Sequence, residues 1–451
     1  MRIVIVGAGI VGYSLVEQLS YENHDIALVE KDKSICAAIS EKMDLLVVQG
    51  TGSRPDILKQ AGIDSADMVI AVTPIDEINI VVCGLAEQYG VKRRIARIRN
   101  EQYSAPGTGI DVSRLGVTQV IQPERVVVNA ILQFIGSPGA LDAANFQDSN
   151  VLLRGYKILP DMPMAGKSLQ KISEIASPYP ILVVTIIRQG RAIIPTGNLI
   201  IEPGDQVFAL FPRESLDAFL SLVNRSRKSV KRVVISGNSL TSVYLASALE
   251  EIIDSVIFVA SDYHTGARAA EMFHNVEVLH GDCMEVDTLQ EVHVEKADFF
   301  VSTGKTTENN IMSALLAKAE GAQEVIAISN EPRYNNLFHS IGIDHVITPR
   351  LTTAREILEV IRRGQIGAAT KIRDADIEMI RIIAGEKSQV VGQPIQNVWK
   401  KVTVESLVGG IIRNDSMIVP DGNTVIEPGD DVIVITHTNN KKIIQKLFVS
   451  K

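Results

Sequence analysis

The chain has 451 residues, 46% of them hydrophobic and 22% charged, with a formal net charge of −8. At roughly 100–200 residues per domain this length suggests two to four domains, and the acidic balance is a poor electrostatic match for nucleic acid or anionic lipid. No run of about 18 apolar residues occurs, so the sequence predicts no helix that crosses a bilayer.

Met1-Arg2 leads directly into Ile3-Val4-Ile5-Val6, an apolar run too short for a secretory leader and read as a buried strand. Gly7-Ala8-Gly9-Ile10-Val11-Gly12 follows and matches G-x-G-x-x-G. A helix is predicted from Ile10, with Val11, Leu15 and Leu19 at helical spacing. In that context the first glycine allows the tight turn, the second lets backbone approach a pyrophosphate, and the third lets helix and strand pack closely. The helix N-terminus offers N–H groups and a positive dipole end to phosphates.

The next strand is predicted over 26–30 and ends in Glu30, 21 positions beyond Gly9 (30 − 9). A carboxylate there accepts hydrogen bonds from ribose hydroxyls and repels a 2′-phosphate, which favours NAD(H) over NADP(H). Further strands are predicted over 45–49, 68–73, 94–99 and 119–121, with helices over 76–89 and 125–134. Short Val- and Ile-rich strands alternating with helices imply a parallel, doubly wound sheet. Gly50 and Thr51 end the third strand, Thr73 and Pro74 the fourth, and Arg97 lies near the end of the fifth. Thr51, Thr73, Pro74 and Arg97 read either as walls of a nucleotide site or as ordinary strand-end residues.

The chain is internally duplicated. Glu202-Pro203-Gly204-Asp205 recurs as Glu427-Pro428-Gly429-Asp430, an offset of 225 (427 − 202). Arg2–Gly7 parallels Arg232–Gly237, and Asp67–Asn79 parallels Asp298–Asn310. The expected division is 1–138, 139–226, 227–369 and 370–451. Two Rossmann-like doubly wound α/β lobes are each followed by a small α+β module, whose Pro-Gly pairs suit type II turns. The basic stretch 224–232 between the halves reads as a solvated linker.

The second lobe's loop, Gly237-Asn238-Ser239-Leu240-Thr241-Ser242, keeps only the first glycine, and Ala260 stands where Glu30 stood. Asp262 parallels Asp32, and Asp282 follows Gly281. Gly237, Asn238, Ser239, Asp262 and Asp282 are therefore candidates for a second nucleotide site, the alternative being a structural copy. The three cysteines, Cys36, Cys83 and Cys283, form no metal-ligand pattern and read as buried thiols.

These motifs, Arg2 to Gly12, Val29-Glu30-Lys31-Asp32, Asp76-Glu77-Ile78-Asn79 and the two Glu-Pro-Gly-Asp turns, resemble the tandem RCK family of regulatory subunits of bacterial Trk potassium-uptake systems. The resemblance covers essentially the whole chain. It implies a non-enzymatic peripheral subunit on the cytoplasmic face of the inner membrane. It also implies binding of NAD(H), or of ATP or ADP as in some relatives, an integral-membrane potassium-translocating partner, and self-assembly as a homotetramer. Two other classes share the nucleotide signature: a regulatory subunit of another cation transporter, and an NAD-dependent dehydrogenase. A dehydrogenase needs a positioned acid or base, yet six of the eight histidines fall in the second lobe, whose glycine loop is the poorer one.

Overall fold

Five consecutive apolar-rich residues, Arg2–Val6, form the first strand, β1, buried from Ile3 onward. Around it lie β2 (Asp25–Glu30), β3 (Leu46–Gln49), β4 (Met68–Ala71), β5 (Arg93–Arg97) and β6 (Gln119–Ile121). In this computed structural model the described residues are 1–20, 24–103, 110–145, 150–225, 230–362, 368–371, 376–414 and 416–448. Residues 226–229 of the expected basic linker lie outside them.

The six strands are parallel in the order β3-β2-β1-β4-β5-β6. The order reverses between β1 and β4, and the crevice outside the carboxyl ends of those two strands is where such sheets take ligands. Helices Ile10–Ser20 and Asp76–Gln88 occupy the places the sequence predicts. The predicted helix 125–134 is slightly longer, Pro123–Ile135, because a proline is well tolerated in a first helical turn.

The first module carries β7 (Asp142–Asn145), β8 (Val151–Lys157), β9 (Leu182–Arg188), β10 (Arg191–Ile193) and β11 (Gln206–Pro212), antiparallel in the order β10-β9-β11-β8-β7. The second lobe repeats the parallel sheet with β12 (Arg232–Ser236), β13 (Ser255–Ala260), β14 (Val276–His280), β15 (Phe299–Ser302), β16 (Glu324–Ile328) and β17 (His345–Ile347), in the order β14-β13-β12-β15-β16-β17. The second module has β18 (Ala368–Lys371), β19 (Ile377–Ile383), β20 (Ser406–Arg413), β21 (Ser416–Ile418) and β22 (Asp431–His437), ordered β18-β19-β22-β20-β21. This is the first module's order with each strand replaced by its repeat.

The chain packs as two units, Met1–Ile131 with Lys231–Val360 and Leu132–Val230 with Ile361–Lys451. Each unit thus draws one part from each half of the duplication. In the first, the guanidinium of Arg93 on β5 donates at 2.6 Å to the carbonyl of Val360, which lies in the second lobe's helix Pro349–Arg362. Arg125 stacks over the Tyr244 ring at 5.4 Å, joining the first lobe's last helix to the second lobe's first.

In the second unit the modules share one core. Leu153, Phe208 and Leu210 of the first meet Met379, Ile433 and Ile435 of the second, all at most 2% exposed. Both sheets carry one bulge at the same place in the repeat, opposite Phe208/Ala209 in the first and between Val408 and Gly410 in the second. The Glu-Pro-Gly-Asp segments form the expected turns, with Gly204 at φ +95° and Gly429 at +88°.

Arg188 explains why those turns recur. Its guanidinium grips Asp205 with two bonds of 2.8 Å and donates to Glu202 at 2.6 Å. Arg413 makes the same contacts with Asp430, at 2.8 and 2.7 Å, and with Glu427 at 2.6 Å. Asp205 and Asp430 are only 2% exposed, and the cation and hydrogen bonds offset the cost of burying each carboxylate.

Candidate functional site

The strand β1 delivers the chain to Gly7, where φ is +102° and a Cβ would press on the backbone of Val72 and Thr73 at 3.1–3.2 Å. Only glycine adopts this conformation at such an approach without strain. Gly12 sits under the turn, where a Cβ would strike the Gly7 carbonyl oxygen. Gly9 is different: a Cβ there would meet nothing within 4 Å. The first and third glycines are thus required by protein packing, whereas the second leaves open space above the backbone. That space lies beside the N-terminus of helix Ile10–Ser20, an end whose N–H groups and positive dipole suit an anion. Ala8 and Val11 complete the loop, and Ile10 is exposed at its lip.

Glu30, at the end of β2, is 9% exposed. One carboxylate oxygen accepts from the Ala8 N–H at 2.7 Å and the other from the Asp32 N–H at 2.9 Å. A carboxylate has about four acceptor positions, so acceptor capacity remains for ribose hydroxyls. Asp32 instead caps helix Lys33–Lys42, accepting from the Ser34 and Ile35 N–H groups.

Across the switch point, Thr73 donates its hydroxyl to the Asn79 side-chain oxygen at 2.7 Å. The Asn79 amide donates to the carbonyls of Thr73 at 3.0 Å and Arg97 at 2.7 Å. This fully buried side chain ties the ends of β4 and β5 together. Asn310 repeats the device in the second lobe, donating to Gly304 and Ile328. Both residues stand at matching places in the repeat, and an Asn recurring in a helix that follows a strand is the signal the sequence carries for this role. Pro74 is exposed on the same rim, and the Thr51 hydroxyl bonds Ser53 at 3.0 Å.

Arg97 is half-buried, and its guanidinium donates at 3.1 Å to the Thr73 carbonyl, with no carboxylate among the described residues in salt-bridge range. Burial, reinforced by the neighbouring cation Arg99, pushes its pKa below the ordinary arginine value, while Glu124 and Asp76 work the other way. A cation in this setting at the ligand edge fits an anionic group.

The second lobe closes the corresponding place with side chains. Gly237 keeps the unusual backbone, φ +149°. Ser239, however, forms a capping box with Ser242: the Ser242 N–H donates to Ser239 Oγ at 3.2 Å, and the Ser239 N–H to Ser242 Oγ at 3.0 Å. Ser239 also donates to the Thr303 carbonyl and Thr303 to Ser242. The amides at this helix start are therefore held by the protein's own hydroxyls. Asn238 donates to Asp262 at 3.1 Å, and Asp262 caps the next helix through the Thr265 N–H, which holds its carboxyl below the usual range. Asp282 accepts from the Met284 N–H within its own turn. All five second-lobe candidates thus lie along one edge, but their polar groups serve local structure.

Two domain models match this chain, the TrkA-N domain over residues 3–123 and 233–349 and the TrkA-C domain over 153–224 and 379–448. The chain belongs to the TrkA family. The Trk system potassium uptake protein TrkA of Azorhizobium caulinodans is 31% identical over 453 residues, covering 99% of this chain and 98% of that relative. The TrkA protein of Vibrio alginolyticus is 33% identical over 455 residues, with 100% and 97% covered. Among solved structures, the GsuK channel bound to NAD shares the fold, with a TM-score of 0.60, 16% identity and coverage of 99% of this chain and 78% of that one. The crystal structure of the GsuK RCK domain gives a TM-score of 0.59 at 16% identity, over 99% and 94%. The TrkA-family assignment agrees with the duplicated lobe–module order. No helix among the described residues is long and apolar enough to cross a membrane.

Proposed function

We propose that the chain is the nucleotide-sensing regulatory subunit of a Trk-type potassium-uptake system, binding NAD(H) in its first lobe with ATP or ADP as competing ligands. What supports the reading is the switch point itself: open space over Gly9, Glu30 fixed at the end of β2 by two N–H bonds, and Arg97 without a carboxylate in salt-bridge range among the described residues. In this reading Gly7–Gly12, Glu30, Thr51, Thr73, Pro74 and Arg97 surround the nucleotide. The self-capped second lobe serves assembly. The polar side chains around the crevice are engaged with backbone groups, which suits a binding protein better than a catalyst.

The partner is an integral-membrane potassium-translocating subunit, with this chain peripheral on its cytoplasmic face. Relatives' names, which place them in the Trk potassium-uptake system, support that assignment. Self-association, proposed as a homotetramer, has a candidate surface in an apolar pair that recurs in both lobes. Val81 and Leu115 are 46% and 44% exposed, and Met312 and Ile341, at equivalent places, 48% and 46%. A nucleotide would act by favouring one arrangement of lobes over another, which requires different affinities for the two.

Isothermal titration with NADH, NAD⁺ and ATP, repeated on Glu30→Ala, tests the reading. Saturable binding of about one nucleotide per chain that weakens on losing Glu30 supports it. Failure of all three to bind removes the sensing function and leaves the fold assignment standing.

A further inference from the structure

The second lobe's helix Pro349–Arg362 lies against the first lobe's sheet edge. Near its C-terminal end, the Val360 carbonyl accepts from Arg93 at the start of β5. One turn earlier, Glu356 lines a cavity of about 370 Å³ together with Gln119, Ile121 and Arg125 from β6 and the helix after it. From Arg93 to the end of β5 at Arg97 is ~13 Å at ~3.3 Å per strand residue. From Val360 back to Arg350 is ~15 Å at ~1.5 Å per helical residue. A helix seated at Val360 and Glu356 therefore brings Arg350, in its first turn, level with the ligand edge of the first lobe. The electrostatic influence of Arg350 on Arg97 agrees with that placement.

Arg350 is exposed, and among the described residues no hydrogen bond or ion pair involves its side chain. Among the described residues the Arg97 guanidinium bonds only a backbone carbonyl. Neither nearby acid reaches Arg97 with a hydrogen bond: Glu124 pairs with Arg99 at 2.7 Å, and Asp76 accepts from the Arg99 and Asn100 N–H groups through Oδ2, its buried Oδ1 having no partner among the described residues. Two guanidinium groups near one another repel unless an anion lies between them, and the planar donor fork of arginine suits phosphate oxygens.

We infer that Arg350 of the second lobe and Arg97 of the first form a two-arginine clamp for the terminal phosphate of a nucleoside triphosphate bound at the first lobe's switch point. The inference rests on the nucleotide reading proposed above. The α- and β-phosphates would lie on the glycine loop beside β1. Arg97 stands two strands away, ~10 Å at ~4.8 Å per strand, in the direction in which a third phosphate extends. A dinucleotide has no terminal phosphate at that place for Arg350 to hold. The second lobe, with its own loop self-capped, thus contributes to the first lobe's site.

The test is titration of the full chain, unsubstituted and as Arg350→Gln and Arg350→Lys, with ATP, ADP and NADH. Arg350→Gln should weaken ATP by roughly tenfold or more while ADP and NADH stay within about twofold, and Arg350→Lys should recover part of the loss. Because Arg350 is exposed and unbonded, thermal melts of all three proteins should coincide. ATP affinity unchanged by Arg350→Gln, an equal loss for ADP and NADH, or an unsubstituted chain that binds NADH but not ATP each overturns the clamp. An unsubstituted chain that binds no nucleotide gives a distinct result and removes the nucleotide reading itself.

Discussion

Glu30 accepts the Ala8 N–H at 2.7 Å from a position 22 residues further along the chain. One carboxylate therefore braces the glycine loop and, in the function proposed above, also receives the ribose. Glu30→Ala should act on both. Stranding the buried Ala8 N–H costs about 1–3 kcal/mol, so the melting temperature should fall along with dinucleotide affinity. The preference for NADH over NADPH should narrow as well, since the charge opposing a 2′-phosphate is gone. Melting curves and competitive titrations read both effects, and an unshifted melting curve would falsify the bracing role.

The loop glycines should separate by experiment. Gly9→Ala adds a methyl group to open space, so folding stability should barely change while dinucleotide affinity falls by about tenfold or more. Gly12→Ala drives a Cβ into the Gly7 carbonyl, so it should cost about 1–3 kcal/mol of stability. Calorimetric unfolding of the two variants, paired with NADH titration, distinguishes a ligand space from a packing space. Equal destabilisation by both would contradict the assignment.

Arg413 and Asp430 make an acid-sensitive pair. Burial disfavours the Asp430 carboxylate, but the Arg413 guanidinium and the Glu427 N–H outweigh it and hold its pKa below the ordinary carboxylate value. Stability from a depressed carboxylate is fully present above about pH 4 and is lost as pH falls through the lowered folded-state value. Urea unfolding followed from about pH 7 to pH 3 should show that loss. Arg413→Met should cost about 3–5 kcal/mol at neutral pH, since it leaves a charge buried without its partner. Its stability should then vary less over the same acidic range; an unchanged pH profile would count against the pairing.

The recurring apolar pairs predict an assembly defect. Val81→Glu combined with Met312→Glu puts charge into each exposed patch, and the particle mass by light scattering should drop below that of the unsubstituted chain. NADH affinity per chain should be preserved, because both positions lie on the solvent side of their helices, away from the strand ends. No change in mass would place the self-association surface elsewhere.

The first lobe was legible because its determinants are local. A glycine spacing, a strand before it, a helix after it and an acid at the next strand end all lie within 30 residues. The parallel sheet followed from buried Val- and Ile-rich runs alternating with helices. Arg188 and Arg413 escaped notice because each reaches its aspartate across a hairpin, although they stand at the same offset as the turns they hold, 225 (413 − 188). The roles of Asp32 and Asp262 were also hidden. An acid just after a β-strand can face a ribose or cap the next helix, and only the backbone N–H groups at 2.8 Å decide between these. The closed second loop was half visible: the missing glycines were plain, but the Ser239–Ser242 box depends on side-chain rotamers.

The shared core of the two modules also bears on how such a chain can change over time. A contact between identical subunits must present the same patch on both sides, so every substitution is made twice. Here the two faces are encoded separately. The equivalent bulge positions hold Val184 in one module and Gly409 in the other, and a Cβ at Gly409 would lie 3.4 Å from Leu210 of the opposite module. Fusion into one polypeptide has released the interface from self-complementarity, so a bulky residue on one face can be matched by a small one on the other, and each half can drift while its partner compensates.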